Sequence, residues 1–402
     1  MRVEICPGPL KGTVRAVASK SHAHRVLICA ALAEGETRLL CPQLSGDIEA
    51  TARCLRALGS QIEYSGGVFR IEGIRTVPER AELDCGESGS TLRFLLPVVC
   101  ALGVHARLKL RGRLPERPLS PLWEELERRG ARLSRPERDV IETAGTITGG
   151  DYEIAADVSS QFISGLLFAL ARSGGGSIRL KGPMESAGYI RMTRRALEQF
   201  GAETALSGNQ LTVSCAGLKS PGELETEGDW SAAAFWAAAD ALSPGVECIG
   251  LDADSAQGDK AVTDCIKKIR AGGAVIDARH IPDLVPVLAA FAAAAGKGAV
   301  FTGAGRLRSK ESDRIKTTVD MINALGGEAR ETEDGLIVGG GKTLAGGVVD
   351  SAHDHRIAMS AAVASIGCTG KVTVLGAECA DKSYPAFWDD FESLGGKLRK
   401  ES

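Results

Sequence analysis

Aromatic residues are scarce, at 4% of the chain, so base-stacking platforms for single-stranded nucleic acid are not expected. An excess of one charge is missing too. Forty-eight basic residues against 51 acidic ones leave a net charge of −3, which gives no electrostatic case for nucleic acid or an anionic membrane. The apolar run Leu284 to Ala295 is too short to span a bilayer and contains Pro286. Cysteine occurs 11 times but never with Cys-x-x-Cys spacing. Most of these thiols sit in apolar strings such as Val98 to Cys100, which reads as buried, reduced cysteine. Met1 to Cys6 is charged and strand-like, unlike a signal peptide. We therefore expect a cytoplasmic protein, a monomer, with neither nucleic acid nor membrane as partner. Its 402 residues, 44% hydrophobic and 25% charged, suit an ordinary globular chain of about two or three domains.

What is abundant is glycine, and six of the 49 fall in a recurring context. Each follows a helix-like string and precedes a short strand-like one: Gly59, Gly130, Gly201, Gly272, Gly326 and Gly395. The intervals are 71, 71, 71, 54 and 69 residues. Glycine can close a helix in the left-handed conformation without a Cβ clash. Equal intervals point to a duplicated α/β unit of about 60–70 residues, longer than common solenoid repeats. Six units suggest two lobes of three, with ligands held where the lobes face each other. The chain is expected to cross between lobes before Ser19 and again within Cys215 to Gly228. One lobe is then continuous, 18–225, and the other is assembled from 1–17 and 226–402.

Basic and hydroxyl side chains gather at the turns before helix-like strings. Ser19, Lys20, Ser21 and Arg25 lead into an apolar stretch from Val26 to Ala33. A serine there caps free N–H groups, and the end of the helix favours an anion. Gly86, Ser88, Gly89, Ser90 and Thr91 repeat that logic, with glycines permitting close backbone approach. Ser159, Ser160 and Gln161 precede another helix, Phe162 to Ala171. Arg111, Arg113 and Arg117 sit in a proline-bounded loop, and arginine suits bidentate phosphate or carboxylate binding. The densest group is Arg306, Arg308, Lys310, Glu311, Asp313 and Arg314, which an ion-paired solvent face would also resemble. His353, His355 and Arg356 precede a helix Ile357 to Ser365, and Lys382 lies in a later loop. Taken together, these turns predict a cleft for substrates carrying several negative charges.

Two other patterns carry less. Gly339 to Thr343 lacks the first glycine of a nucleotide P-loop, since Leu336 stands there, and Gly346 and Gly347 interrupt any following helix. His22, His24, His353 and His355 adjoin arginines, which disfavour a cation, so no metal site is expected.

In order and spacing, the motifs from Ser19 to Pro385 resemble the enolpyruvyl transferases, specifically the branch that uses shikimate 3-phosphate. The most specific pieces are Ser19-Lys20-Ser21 with Arg25, Leu307 to Arg314, and Asp354 to Met359. The resemblance implies an α/β fold of two lobes, each of three βαβαββ units with pseudo-threefold symmetry, and an active site in the interlobe cleft. It implies transfer of the enolpyruvyl group of phosphoenolpyruvate to the 5-hydroxyl of shikimate 3-phosphate, releasing phosphate, on the pathway to chorismate and aromatic amino acids. By motif position, Lys20, Ser21, Arg25, Ser159, Ser160, Gln161, Ser186, Asp283 and Lys310 belong to the phosphoshikimate side, with Tyr189 close by. Lys20, Gly89, Arg117, Gln161, Arg314, Arg356 and Lys382 belong to the phosphoenolpyruvate side, where glyphosate competes in relatives with the same glycine. Asp283 matches the base for the attacking hydroxyl, and Glu311 the proton-transfer residue at the enol carbon. Lys20 reaches both substrates. Neither cofactor nor metal is needed, because cations offset two phosphates and a carboxylate.

This chain departs from the family pattern at Val17 and Ala18, where Pro-Gly is usual, at Glu87, where asparagine is common, at Ser90, where threonine is frequent, and at Arg306, where many members have asparagine. The sister branch acts on a UDP-amino sugar. It typically has a cysteine in the loop matching Arg111 to Pro118, and Lys-Asn where this chain has Lys20-Ser21. A silent anion-binding protein of the same fold is the other reading, opposed by the presence of Asp283, Lys310 and Glu311.

Overall fold

The computed structural model describes residues 1–401. It contains 12 α-helices among the described residues, and their order explains the glycine spacing. They are α1 Lys20–Leu32, α2 Gly46–Ala57, α3 Gly89–Leu102, α4 Leu122–Arg128, α5 Ser160–Arg172 and α6 Ala187–Gln199. Then come α7 Trp230–Leu242, α8 Val262–Ala271, α9 Val285–Ala294, α10 Arg314–Ala324, α11 His355–Ala364 and α12 Phe387–Ser393. The six glycines follow α2, α4, α6, α8, α10 and α12, and every one has positive φ, from 86° to 106°. The repeat is therefore a pair of helices whose second member is closed by glycine.

The chain divides into two compact units, Met1–Val17 with Gly228–Ser402 and Ala18–Glu227. Within Ala18–Glu227, three four-stranded sheets each carry one helix pair. One sheet runs Arg80–Gly86, His105–Leu110, Val140–Gly145, Ala131–Glu137, with the first two parallel and the others antiparallel. The sheet of Gly150–Ala155, Gly175–Lys181, Gln210–Ser214 and Glu203–Ser207 repeats that order. The third takes its first strand, Glu223–Glu225, from the far end of the unit and pairs it in parallel with Glu36–Leu40. This is the βαβαββ pattern, with right-handed crossovers the norm for its parallel pairs.

In the other unit two sheets keep four strands. One pairs Arg2–Cys6 between Val372–Leu375 and Lys397–Glu401; the other is built on Lys297–Thr302 and Gly335–Gly340. The last sheet has only two strands, Gly12–Arg15 and Val246–Ile249. Its unit lacks the closing hairpin, and α8 passes directly to the strand Val275–Asp277. That missing hairpin accounts for the short interval of 54 residues between Gly272 and Gly326.

The two helices of each pair differ in burial. Helices α3, α5, α9 and α11 bury nearly every side chain, as α9 does from Val285 to Ala293. By contrast α2, α6 and α8 alternate buried and exposed positions. A helix apolar all round must lie inside, and an amphipathic one covers the outside. Within each unit the central helices are the odd-numbered ones, packed α3 on α5 and α9 on α7 and α11. Each set of three contributes apolar side chains to a single core. Among the described residues, no helix is long and apolar enough to cross a membrane.

Candidate active site

The central helices begin further toward their polar turns than the apolar periodicity suggests. Helix α1 starts at Lys20, because Ser19 is its N-cap and accepts from His22 N. Lys20, Ser21 and Arg25 therefore occupy its first two turns instead of a preceding loop. Likewise α11 starts at His355, with Asp354 as N-cap, so Arg356 lies in its first turn. Ser88 caps α3, Ser159 caps α5 and Asp229 caps α7. Each cap satisfies an N–H that the helix itself cannot.

In the unit Ala18–Glu227, Lys20 Nζ bonds Asp47 Oδ2 at 3.0 Å. Arg25 is almost completely buried. Its Nε donates to Thr193 Oγ1 (2.8 Å), Nη1 to the Ser21 carbonyl (2.6 Å) and Nη2 to the Tyr189 carbonyl (3.0 Å). The guanidinium carbon lies 5.0 Å from the Phe94 ring centre. Burial pulls its pKa down to about 10, which still leaves it charged at neutral pH. Arg25 thus joins α1 to α6, and an anion there meets a guanidinium already held in place. His24 is buried as well; burial lowers its pKa to about 3, and the neutral ring bonds Thr51 Oγ1 through Nδ1 at 2.7 Å.

Gln161, at the start of α5, donates from Nε2 to Ser90 Oγ at 2.9 Å. Arg93 Nη1 donates to Gln161 Oε1 (3.3 Å), and Arg93 Nη2 to the Pro118 carbonyl (3.1 Å). These bonds bring together the starts of α3 and α5 and the loop carrying Arg117. A Cβ on Gly89 would sit 2.7 Å from Arg117 Nη1 and 2.8 Å from Arg93 Nη1. The glycine therefore makes room for two guanidinium groups. Arg93 was within reach of sequence reasoning, being the polar interruption of the apolar string after Thr91, but its position inside a helix hid it. The side chain of exposed Glu87 lies across Gly112, where an added Cβ would be 2.4 Å from Oε1. Ser186 stands at the N-cap position of α6 in the left-handed region, with φ of 53°, and its side chain makes no capping bond.

The unit Met1–Val17 with Gly228–Ser402 holds the densest charge cluster. Arg314, with its side chain 2% exposed, binds three carboxylates. Its Nη1 reaches Asp283 Oδ1, Nη2 reaches Glu311 Oε2 and Nε reaches Asp354 Oδ2, each at 2.7 Å. Arg306 to Arg314 is accordingly no solvated helix face: a 3-10 turn covers Gly305–Ser309, and α10 begins at Arg314 with Asp313 as cap. Lys310 Nζ lies 3.6 Å and Arg356 Nε 3.7 Å from Asp283 Oδ1. Burial pushes the Asp283 carboxyl up, but Lys310, Arg356 and Arg314 together hold it well below the usual carboxylate range. Burial opposes the charge on Arg314, and Asp354, Glu311 and Asp283 outweigh it, raising its pKa.

Lys382 ends the 3-10 turn Ala377–Lys382 and is half-buried. Two residues just before α11, Ala352 (φ 49°) and His353 (φ 55°), adopt the left-handed conformation. With Ser186 they are the three non-glycine residues with positive φ among the described residues. Such strain persists where the surroundings over-determine it, and functional turns are a common place for it. Asp354, which opens the motif Asp354 to Met359 but had no role assigned to it, belongs to this cluster, and so do Ser231 and Asp259, which no motif singled out. His22 Nδ1 accepts from Glu227 N at 3.1 Å, and the segment Gly339–Thr343 continues a strand and a loop without a helix start.

Comparison with known proteins agrees over nearly the full length. A family model described as EPSP synthase (3-phosphoshikimate 1-carboxyvinyltransferase) matches residues 6–391. A protein named 3-phosphoshikimate 1-carboxyvinyltransferase from Clostridium kluyveri is 39% identical, covering 98% of each chain. One of the same name from Clostridium perfringens is 38% identical over 100% of both. Among solved structures, an EPSP synthase from Acinetobacter baumannii superposes with a TM-score of 0.81 at 26% identity, covering 99% of this chain and 100% of that one. The buried carboxylate–guanidinium cluster, the capped helix starts and the six repeated units are thus set in a chain that belongs to the EPSP synthase family.

Proposed function

We propose that this chain transfers the enolpyruvyl group of phosphoenolpyruvate to the 5-hydroxyl of shikimate 3-phosphate and releases phosphate. The observation that carries this reading is the tie of Asp283 and Glu311 to one buried guanidinium, Arg314. The reaction needs two proton-transfer groups fixed close to each other. One takes the proton of the attacking hydroxyl, and the other delivers a proton to the methylene carbon of phosphoenolpyruvate. The adduct then loses phosphate and the added proton, restoring the double bond. Asp283 is assigned as the base and Glu311 as the acid.

The electrostatics support this division. With no anion bound, Asp283 faces three cations and is a weak base. Phosphoenolpyruvate placed against Arg356 and Lys382 offsets part of that charge, so the carboxylate gains basicity when substrate arrives. Each side-chain nitrogen of Arg314 already bonds a carboxylate. An anion reaching Arg314 must share or displace one of them, which couples substrate binding to the position of the acid and base. Lys20, Ser21, Arg25, Ser159, Ser160, Gln161 and Ser186 are assigned to shikimate 3-phosphate, with Lys310 and Asp283 completing the contacts. Gly89 and Arg117 are assigned to phosphoenolpyruvate, and Lys20 and Gln161 to this substrate as well. Water exclusion on binding protects the reactive intermediate from hydrolysis. We place the reaction in the cytosol, which the free thiols of all 11 cysteines, eight of them buried, support.

Phosphate release from phosphoenolpyruvate, measured with and without shikimate 3-phosphate, tests the assignment. Release that depends on the second substrate is expected; release indifferent to it would overturn the assignment.

A further inference from the structure

Arg356 is held along one edge by two bonds. Its Nη2 donates to Ser231 Oγ at 2.6 Å, and its Nη1 to the Asp283 carbonyl at 2.9 Å. Arginine carries five N–H donors in a planar fork, so these bonds fix the plane while leaving donors for a bidentate anion. Ser231, 8% exposed, lies in the first turn of α7. The result is a buried tie from Ser231 through Arg356 to the Asp283 carbonyl that joins the starts of α7, α9 and α11.

We propose that Ser231 is a positioning residue that holds the Arg356 guanidinium in the plane required to receive phosphoenolpyruvate. This rests on the assignment of Arg356 to that substrate. Losing a hydrogen bond to a charged group corresponds to about a tenfold to hundredfold change in an equilibrium constant. Ser231→Ala should therefore raise KM for phosphoenolpyruvate by about tenfold or more, leaving KM for shikimate 3-phosphate within about twofold. Ser231→Thr, which keeps the hydroxyl, should restore KM toward the parent value.

The experiment is steady-state kinetics on the purified parent, these variants, Arg356→Lys, and the double variant of Ser231→Ala with Arg356→Lys, with thermal melts run alongside. If Ser231 acts through Arg356, its substitution adds little once Arg356 is replaced. An unchanged KM for phosphoenolpyruvate in Ser231→Ala, an equal rise in both KM values, or full additivity in the double variant would overturn the proposal. A Ser231→Thr protein behaving like Ser231→Ala counts against it too. A parent without phosphoshikimate-dependent phosphate release would instead refute the functional assignment on which the proposal rests.

Discussion

Asp354 is completely buried and accepts four hydrogen bonds: from Arg314 Nε (2.7 Å), Arg314 Nη2 (3.2 Å), Ser312 Oγ (3.0 Å) and, as the cap of α11, Arg356 N (3.0 Å). Asp354→Ala removes all of them and leaves a buried guanidinium short of one counter-charge. Breaking a buried pair by deleting one partner costs about 3–5 kcal/mol. Loss of a helix N-cap costs about 1 kcal/mol, and since one side chain does both jobs the effects overlap, for a total of about 4–5 kcal/mol. At about 2–4 °C per kcal/mol for a unit of this size, the melting temperature should fall by about 8–20 °C. Asp354→Asn keeps an acceptor at the cap and should lose less. The pH dependence has a defined sign. Burial pushes the Asp354 carboxyl up, but Arg314 and His355 prevail and hold it below its ordinary value. A depressed carboxyl stabilises the fold above the unfolded-state pKa of about 4, and this contribution is lost as pH falls through the folded value. The gap between parent and Asp354→Ala should therefore be widest near neutral pH and narrow below about pH 4. Calorimetric or circular-dichroism melts across that range provide the check. A drop under about 2 °C at pH 7, against the 8–20 °C expected, would refute the claim that this cluster is a structural keystone.

Glu311→Gln and Asp283→Ala should each lower turnover by about a hundredfold or more, with substrate binding by calorimetry better preserved; weak binding with normal turnover at saturation would contradict the proton-transfer roles. Lys20→Ala should abolish activity while melting close to the parent, because Lys20 is partly exposed and its ion pair with Asp47 is a single 3.0 Å bond. Arg25→Ala should lose activity and stability together, by about 3 kcal/mol or more, since it empties a buried, fully bonded site; equal melts for the Lys20 and Arg25 variants would show that the burial of Arg25 is irrelevant. Gly89→Ala places a methyl 2.7 Å from Arg117 Nη1 and 2.8 Å from Arg93 Nη1, so those side chains must shift. Its KM for phosphoenolpyruvate should rise and its inhibition by glyphosate weaken more, as read from inhibition constants of parent and variant side by side; equal constants would place Gly89 away from the site.

The repeat was legible because helix closure at glycine is a local, steric event. Gly59 and its five counterparts needed no tertiary information to be seen. The short interval after Gly272 was visible but unexplained until the two-stranded sheet showed that a hairpin is missing there. Helix starts were read two to six residues late at α1 and α11, since polar residues such as Lys20 and Arg356 mask the helical pattern that Ser19 and Asp354 begin by capping. Charge was easier to see than burial. Arg25 and Arg314 looked like open cations awaiting substrate, whereas the fold surrounds both with protein partners, a fact that depends on Thr193 and Asp354, far away in sequence. Asp259 and Ser231 had no signal of their own: one stands between glycine and lysine, the other at the head of an alanine-rich helix.

The central claim is group transfer, and it is tested most directly by following the three carbons. Phosphoenolpyruvate labelled in its enolpyruvyl carbons is incubated with shikimate 3-phosphate and the purified protein, and the products are separated and weighed by mass spectrometry. The account predicts that the label appears in shikimate 3-phosphate bearing an added enolpyruvyl ether, in step with the phosphate released. Label recovered as free pyruvate, or left in phosphoenolpyruvate while the acceptor is present, would contradict it.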